Sequence, residues 1–136
     1  MTDNWTPSKR SDVMSRVRSR GNQSTEMRLA TIFRTNGITG WRRNQKLLGK
    51  PDFVFRTQRV CVFVDGCFWH GCPACYRRPN SNQLFWDTKL QRNTARDRLV
   101  TRELRKQGWR IIRIWEHQLS EKNRKRLLWR LNLYLG

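Results

Sequence analysis

The sequence predicts an α/β fold in which helices cover a mixed central β-sheet. Two apolar segments, Asp52 to Phe55 and Arg59 to Val64, are separated by a short polar turn, a pattern typical of a β-hairpin. The segment from Asn82 to about Gln107 has no Gly or Pro and precedes Gly108, so it predicts one long helix. A further apolar strand follows at Arg110 to Trp115. Because a strand, a crossover helix and a strand usually form a parallel pair, the sheet should be mixed.

The remaining elements should flank this sheet. Ser24 can cap a helix that ends at Asn36-Gly37. The apolar residues of that helix are Met27, Leu29, Ile32 and Phe33. Trp41 to about Asn44 is the first strand candidate, and Ser120 can cap a last amphipathic helix. The apolar stripe of that helix is Leu127, Leu128, Leu131 and Leu133.

Length and charge limit what the protein can be. With 136 residues the chain is expected to be a single domain over residues 1–136, large enough to bury a core without disulfides. Lys and Arg number 29 against 10 Asp and Glu, so the formal net charge is +19. A ribosome-associated or membrane-surface protein would share that charge. Seven Trp accompany it and offer faces on which bases can stack, so nucleic acid is the expected partner.

The first 20 residues are expected to form a basic arm or helix that contacts DNA. Thr6-Pro7 suits a helix start, and Met14 and Val17 give only a weak apolar stripe. No apolar run approaches the roughly 18 residues of a membrane span, and no signal sequence follows Met1. We therefore expect a cytoplasmic, nucleoid-associated protein without a membrane partner, whose cysteines stay reduced.

A cysteine cluster follows the strand Arg59 to Val64. Cys72 and Cys75 have the spacing that lets two thiolates reach one tetrahedral ion, and Cys67 lies nearby. If the strand Arg110 to Trp115 pairs in parallel, His117 comes to face this loop. A Cys3His set predicts a structural zinc site. The alternative is that the thiols are small buried hydrophobes, as we expect for Cys61 inside the strand.

Two aspartates, Asp52 and Asp65, should lie at the ends of neighbouring strands beside the cysteine loop. Carboxylates placed in this way can bind Mg²⁺, which activates water for phosphodiester hydrolysis. The layout resembles that of the restriction-endonuclease-like superfamily, whose second carboxylate is normally followed by x-Lys. Cys67 occupies that Lys position, so His70 is expected to handle protons, with Glu26 as a supporting carboxylate. Taken singly, such residues are more often turn or core residues.

Several longer motifs extend over nearly the whole chain. They are Gly49 to Phe55, Val62 to His70, Phe85-Trp86 with Asn93, Arg96 to Arg98, Gly108 to Arg110, and Ile114 to Glu116. The block Gly66-Cys67-Phe68-Trp69-His70 is the most specific of them. This set resembles the very-short-patch repair (Vsr) endonucleases, which nick DNA at T:G mismatches.

The resemblance implies roles for individual residues. Asp52 would be the central Mg²⁺ ligand and the carbonyl of Val64 would complete the site. His70 would transfer a proton or position the attacking or leaving group, supported by Glu26. The residue before Gly66 is His in the best-known member, so Asp65 is a departure that adds a candidate metal ligand. The zinc positions hold Cys67, Cys72, Cys75 and His117. In the family a His can occur at the position of Cys72 and a Cys at the position of His117, and both residue types are zinc ligands.

The resemblance also implies how DNA is held. An aromatic wedge would enter the base stack from the major groove and consists of Phe68, Trp69 and Trp86. Met14 would enter from the minor groove, and Lys89 and Asn93 would contact bases or backbone. A mismatch is already weakly stacked, so insertion costs less there and can test for the lesion. Three further tryptophans are assigned to the core or its rim, namely Trp109, Trp115 and Trp129.

Together, these residues and the resemblance to the Vsr endonucleases imply a monomeric, Mg²⁺-dependent, zinc-stabilised enzyme that nicks double-stranded DNA 5′ of the mismatched T of a T:G pair. Such pairs arise when 5-methylcytosine deaminates. The resemblance therefore implies a functional link to a cytosine-5 DNA methyltransferase and to mismatch-repair proteins. Two alternatives stay open: a nickase of the same fold with a non-mismatch target, and a mismatch-binding protein without turnover.

Overall fold

A computed structural model describes residues 25–136 of the chain. The predicted N-terminal arm, with Met14, and the Ser24 cap lie outside the described residues. The elements in chain order are α1 (residues 25–35), β1 (Trp41–Arg42), β2 (Phe53–Phe55), β3 (Val60–Asp65), α2 (Gln83–Lys106), β4 (Arg110–Trp115), two 3-10 turns (Glu116–Leu119 and Glu121–Asn123) and α3 (Arg124–Leu135). Within residues 25–136 no helix has both the length and the apolar character that crossing a membrane requires.

The four strands form one mixed sheet in the order β1-β2-β3-β4. Strands β1, β2 and β3 pair antiparallel, which confirms the predicted hairpin. Strand β4 pairs in parallel with β3, with Val60 opposite Arg110 and Asp65 opposite Trp115. The carboxyl ends of β3 and β4 therefore lie side by side, as the crossover through α2 predicted.

Helices cover both faces of the sheet, and this explains why β2 and β3 are almost continuously apolar. On one face, α1 and α3 pack through residues such as Leu29, Phe33, Leu127 and Leu131 against Phe53, Phe55, Val62, Ile112 and Ile114. On the other face, α2 packs through Val100 and Leu104 against Val54, Cys61, Phe63 and Ile111. Cys61 is fully buried in this second layer, as predicted.

The amino-terminal half of α2 packs on the cysteine loop and not on the sheet. Its two buried residues, Val100 and Leu104, both lie in the carboxyl-terminal half. Gly71 of the loop has a φ of +68°, and a Cβ there would lie 2.8 Å from Cδ1 of Leu90. A glycine is needed at this point because the loop approaches α2 too closely for a side chain.

The last helix differs from its prediction. It begins at Arg124, whereas Ser120 is extended and precedes a 3-10 turn. The side chain of Asn123 donates hydrogen bonds to the hydroxyl of Ser120 (2.9 Å) and to the carbonyl of His117 (3.0 Å). These bonds hold the residues after β4 in short turns and delay the start of the α-helix.

One aromatic assignment is wrong. Trp129, expected in or near the core, is 67% exposed on α3, and Leu133 beside it is 60% exposed. The buried positions of this helix are Leu127 and Leu131, and Trp129 lies on the opposite side because it falls between them in the helical repeat. Trp109 is buried and Trp115 is half-buried, as expected.

Candidate active site and metal centre

The carboxyl ends of β3 and β4, the turn before β2 and the middle of α2 enclose one open cleft of about 400 Å³. Its polar lining consists of Lys50, Asp52, Asp65, His70, Asn93, Arg96, Asp97 and Arg113. Functional side chains are expected at such a place because a rigid sheet fixes the loops that carry them. The predicted catalytic residues Asp52, Asp65 and His70 all line this cleft.

Asp52 is held at the edge of β3. Its N–H donates to the carbonyl of Val62 (2.9 Å), and its Oδ2 accepts the N–H of Val64 (2.6 Å). Its carboxyl is also hydrogen-bonded to Glu26 of α1. Burial, the hydrogen bond to Glu26 and the negative charges of Glu26 and Asp65 raise the pKa of Asp52 to about 8.

This crowding of carboxylates suits a divalent cation. A bound cation would favour the ionised form of Asp52, which burial and neighbouring charges now disfavour. Asp52 and Asp65 offer carboxylate oxygens to this cleft, and hard oxygen donors are what Mg²⁺ prefers. Glu26 also forms an ion pair with Arg43, so its charge is partly balanced.

Asp65 is placed differently. It ends β3, is 5% exposed and accepts two hydrogen bonds from Nη1 of Arg113, at 3.1 and 3.2 Å. Burial raises the pKa of Asp65 above its ordinary range, although the charges of His70 and Arg113 oppose that rise. Side chains alternate along a strand, so Asp65 lies on the α2 face of the sheet together with Phe63.

His70 and Asp97 form a hydrogen-bonded pair. Nδ1 of His70 lies 2.5 Å from Oδ2 of Asp97 and 4.0 Å from Oδ1 of Asp65. Burial lowers the pKa of His70, but the hydrogen bond to Asp97 and the charges of Asp65 and Asp97 outweigh it, so the pKa is raised. A carboxylate on Nδ1 orients the imidazole and leaves Nε2 to exchange a proton with a bound molecule.

The structure thus divides the two aspartates that the sequence placed together. Asp65 belongs to a group with His70 and Asp97, whose ligand atoms lie within 4.8 Å of one another. Asp52 is instead bonded to Glu26, although it feels the charge of Asp65. Both parts face the same cleft.

Cys67, Cys72, Cys75 and His117 converge as predicted, with their ligand atoms within 4.8 Å of one another. Nδ1 of His117 lies 3.5 Å from the sulfur of Cys67, 3.6 Å from that of Cys72 and 3.4 Å from that of Cys75. His117 reaches the loop from the 3-10 turn that directly follows β4. Three thiols around one imidazole nitrogen are compatible with a tetrahedral metal site.

The predicted wedge residues form one aromatic cluster. Ring centroids of Phe68 and Trp69 lie 5.2 Å apart, those of Phe68 and Trp86 5.5 Å, and those of Trp69 and Trp86 6.0 Å. Phe85 adds an edge contact to Trp86 at 5.0 Å and is 58% exposed. The cluster is therefore continuous with an apolar surface at the start of α2.

Two predicted DNA contacts on α2 border this cluster. Lys89 and Asn93 line a small space together with the aromatic rings. Nδ2 of Asn93 donates a hydrogen bond to the carbonyl of Trp69 at 2.8 Å. Asn93 thereby fixes the loop between the aromatic cluster and His70.

Comparison with known proteins identifies the chain. A family model described as DNA mismatch endonuclease Vsr matches residues 2–77. The chain belongs to the Vsr family. It is 34% identical over 118 residues to the DNA mismatch endonuclease Vsr of Escherichia coli strain K12, covering 85% of this chain and 74% of that protein.

Other relatives are named as nicking enzymes. The type II nicking enzyme V.NmeDIP of Neisseria meningitidis serogroup C is 36% identical over 119 residues, covering 86% of this chain and 80% of that enzyme. The type II nicking enzyme V.NaeI of Lentzea aerocolonigenes is 52% identical over 69 residues, 51% of this chain and 42% of that enzyme. As a Vsr-family protein with these relatives, the chain is a DNA nicking endonuclease.

Sequence reasoning missed two residues of this Vsr-family site. Asp97 lies within a noted motif, but a single acidic residue between two arginines has no distinguishing pattern. Arg113 did carry a signal, because it is a charged residue at the centre of the apolar strand Arg110–Trp115. A charge at such a position usually has a partner of opposite sign.

Proposed function

We propose that this chain is a Mg²⁺-dependent endonuclease that nicks one strand of double-stranded DNA 5′ of the mismatched T in a T:G pair. Such pairs are the product of 5-methylcytosine deamination, so the enzyme would act in very-short-patch repair. The proposal unites the family membership with one observation, the continuity between the aromatic cluster and the acid–base pair.

That continuity rests on adjacent residues. Phe68 and Trp69 directly precede His70. The hydrogen bond from Asn93 to the carbonyl of Trp69 holds the backbone between Trp69 and His70 in place. Aromatic side chains that insert at a weakly stacked pair would therefore bring a nearby phosphodiester to the cleft in a defined register. Mismatch recognition and cleavage would be coupled through three consecutive residues.

The chemistry would be shared between the two halves of the cleft. Mg²⁺ held by Asp52 and the carbonyl of Val64, with Asp65 as a further candidate ligand, would neutralise phosphate charge and supply an activated water. Glu26 would support Asp52 as a neighbouring carboxylate on α1. His70, oriented by Asp97, would move a proton to or from the reacting oxygen through Nε2.

We propose zinc as the ion of the Cys3His site. Zn–S bonds of about 2.3 Å and Zn–N bonds of about 2.0 to 2.1 Å at tetrahedral angles put sulfur and nitrogen about 3.5 to 3.6 Å apart. The three sulfur–nitrogen distances, 3.4 to 3.6 Å, agree with that geometry. Zinc would fix the loop that carries the aromatic cluster and His70.

We propose a single domain over residues 1–136 that acts as a monomer, with the basic arm 1–20 and Met14 on the DNA. The net charge of +19 favours binding to the phosphate backbone. The substrate implies a functional link to a cytosine-5 DNA methyltransferase and to mismatch-repair proteins, near the nucleoid.

The test is a comparison of two end-labelled duplexes that differ only in a T:G or a T:A pair, each incubated with Mg²⁺ and the protein. We expect one nick, 5′ of the mismatched T, in the T:G duplex alone. Cutting of both duplexes would favour the alternative, a nickase with a non-mismatch target. This alternative is kept because the relatives named as nicking enzymes carry no mismatch in their names. Binding without any cut would overturn the catalytic proposal and favour a mismatch-binding protein.

A further inference from the structure

Arg113 occupies the centre of the acidic group in the cleft. It projects from β4 onto the face of the sheet that α2 covers, with its guanidinium 4.3 Å above the ring of Phe63. All three of its nitrogens are engaged with the protein. Nε donates to the hydroxyl of Thr101 (3.0 Å), Nη1 to both oxygens of Asp65 (3.1 and 3.2 Å), and Nη2 to the carbonyl of Asp97 (3.2 Å).

This one side chain joins two elements that carry the acid–base pair. Asp65 ends β3 and Asp97 lies on α2, and Nη1 of Arg113 also lies 3.7 Å from Oδ1 of Asp97. Without a cation between them, two carboxylates held this close on separate elements would repel each other. The planar fork of Arg can hold both, which a single ammonium group cannot do in the same geometry.

The arrangement argues against a direct contact with substrate as the main role. Each nitrogen of the guanidinium already donates to the protein and its face is stacked on the ring of Phe63, which leaves one N–H of Nη2 for any other partner. His70 in turn depends on both carboxylates, because Nδ1 lies 2.5 Å from Asp97 and 4.0 Å from Asp65.

We infer that Arg113 is a positioning residue of the nuclease: it clamps Asp65 and Asp97 together and so sets the orientation of the His70 imidazole. This inference rests on the proposed function. It also assigns a role to Asp65, whose carboxylate acts as the anchor of the clamp. The chain lacks the Lys that the superfamily pattern places at Cys67, and Arg113 supplies a fixed positive charge to the same cleft from the neighbouring strand.

The test compares Arg113→Met with Arg113→Lys. The Met side chain retains apolar contact with Phe63 but donates no hydrogen bond. We expect Arg113→Met to lower kcat for nicking by about 10- to 100-fold, the usual effect of removing a residue that orients a catalytic group. The KM for the duplex should change by less than about 2-fold, because a residue that does not touch substrate leaves binding intact. Arg113→Lys should recover part of the loss.

Arg110→Met is the matched control. Arg110 lies at the other end of the same strand, and its Nη2 donates to the carbonyls of Gln58 (3.2 Å) and Tyr134 (2.6 Å). This variant also removes an arginine that ties β4 to its surroundings. It should lower the unfolding temperature while kcat, measured below that temperature, stays at the parent value. A kcat loss in Arg110→Met as large as in Arg113→Met would overturn the inference.

A second readout does not need activity. The sequence contains two histidines, so ¹⁵N-histidine labelling yields two imidazoles, and His70→Ala assigns them. We expect a hydrogen-bonded Nδ1–H resonance from His70 in the parent and its loss in Arg113→Met. An unchanged resonance, an unchanged kcat, or a loss confined to KM would each overturn the positioning role. If the parent protein does not nick at all, the proposed function fails, whereas the imidazole spectrum still tests the clamp.

Discussion

Replacing Asp52 with Asn should abolish nicking and at the same time stabilise the fold at neutral pH in the absence of Mg²⁺. Burial, the hydrogen bond to Glu26 and the charges of Glu26 and Asp65 raise the pKa of Asp52 from 3.8 to about 8 in the folded protein. In the unfolded chain the carboxyl returns to its ordinary range. The folded state therefore keeps a proton that the unfolded state has released.

The sign and size of the effect follow from proton linkage. The unfolded state binds fewer protons between about pH 4 and pH 8, so stability falls as the pH rises through that window. At pH 7 about three pKa units separate the ordinary pKa from the solvent pH, and at roughly 1.4 kcal/mol per unit the penalty is about 4 kcal/mol. Relaxation and water entry reduce such burial costs, so we expect Asp52→Asn to recover about 1 to 3 kcal/mol.

The Asn side chain suits the site because it resembles the protonated acid. Its oxygen can accept the N–H of Val64 and its amide can donate to Glu26. Thermal unfolding of parent and variant at pH 5 and pH 7, in Mg²⁺-free buffer without chelator, measures the gain. We expect the unfolding temperature to rise by about 3 to 10 °C at pH 7 and by less at pH 5.

The control is Asp87→Asn, the same substitution at a carboxylate that pairs with Arg78 on the surface. It should give no gain at either pH. Added Mg²⁺ should stabilise the parent and leave Asp52→Asn unchanged, because a ligand stabilises only the state that binds it. An Asp52→Asn protein that is less stable than the parent at both pH values, or equally stabilised by Mg²⁺, would refute the reasoning. Retained nicking would remove Asp52 from the mechanism.

Three further predictions concern other parts of the molecule. Trp69→Ala should lower the preference for T:G over T:A duplexes more than it lowers total DNA affinity. The control is Trp129→Ala, at a residue that is 67% exposed on α3, and it should change neither quantity. Equal losses of preference and affinity in Trp69→Ala would contradict the aromatic wedge. Cys72→Ser should reduce bound zinc, measured by mass spectrometry, and lower the unfolding temperature; full stability without zinc would count against the Cys3His site. Gly49→Ala should cost about 1 to 3 kcal/mol in urea unfolding, because a Cβ would lie 2.5 Å from a methyl of α2 at a φ of +74°. Gly40→Ala, with a φ of +87° and open space around it, isolates the backbone part of that cost, and an equal loss in both variants would exclude the clash.

Much of the fold followed from local patterns. The hairpin of β2 and β3, the helix α2 that ends before Gly108 and the strand β4 all lie where apolar runs and turn residues placed them. Because a crossover helix makes neighbouring strands parallel, the same patterns also brought His117 to the cysteine loop. The error at Trp129 arose because composition does not tell which side of a helix faces the core when several large apolar residues compete for it.

The sequence by itself determined the charge, the hairpin of β2 and β3, the parallel strand β4, the Cys3His set and the membership of an endonuclease family. Only the tertiary structure decided how the acidic residues of the cleft are divided between two groups. Asp52 is bonded to Glu26, while Asp65 and Asp97 are clamped by Arg113 beside His70. The physical reason is that hydrogen-bond partners of a buried charge come from elements distant in sequence, here α1, α2 and β4. Their approach depends on packing and register, which no short motif encodes.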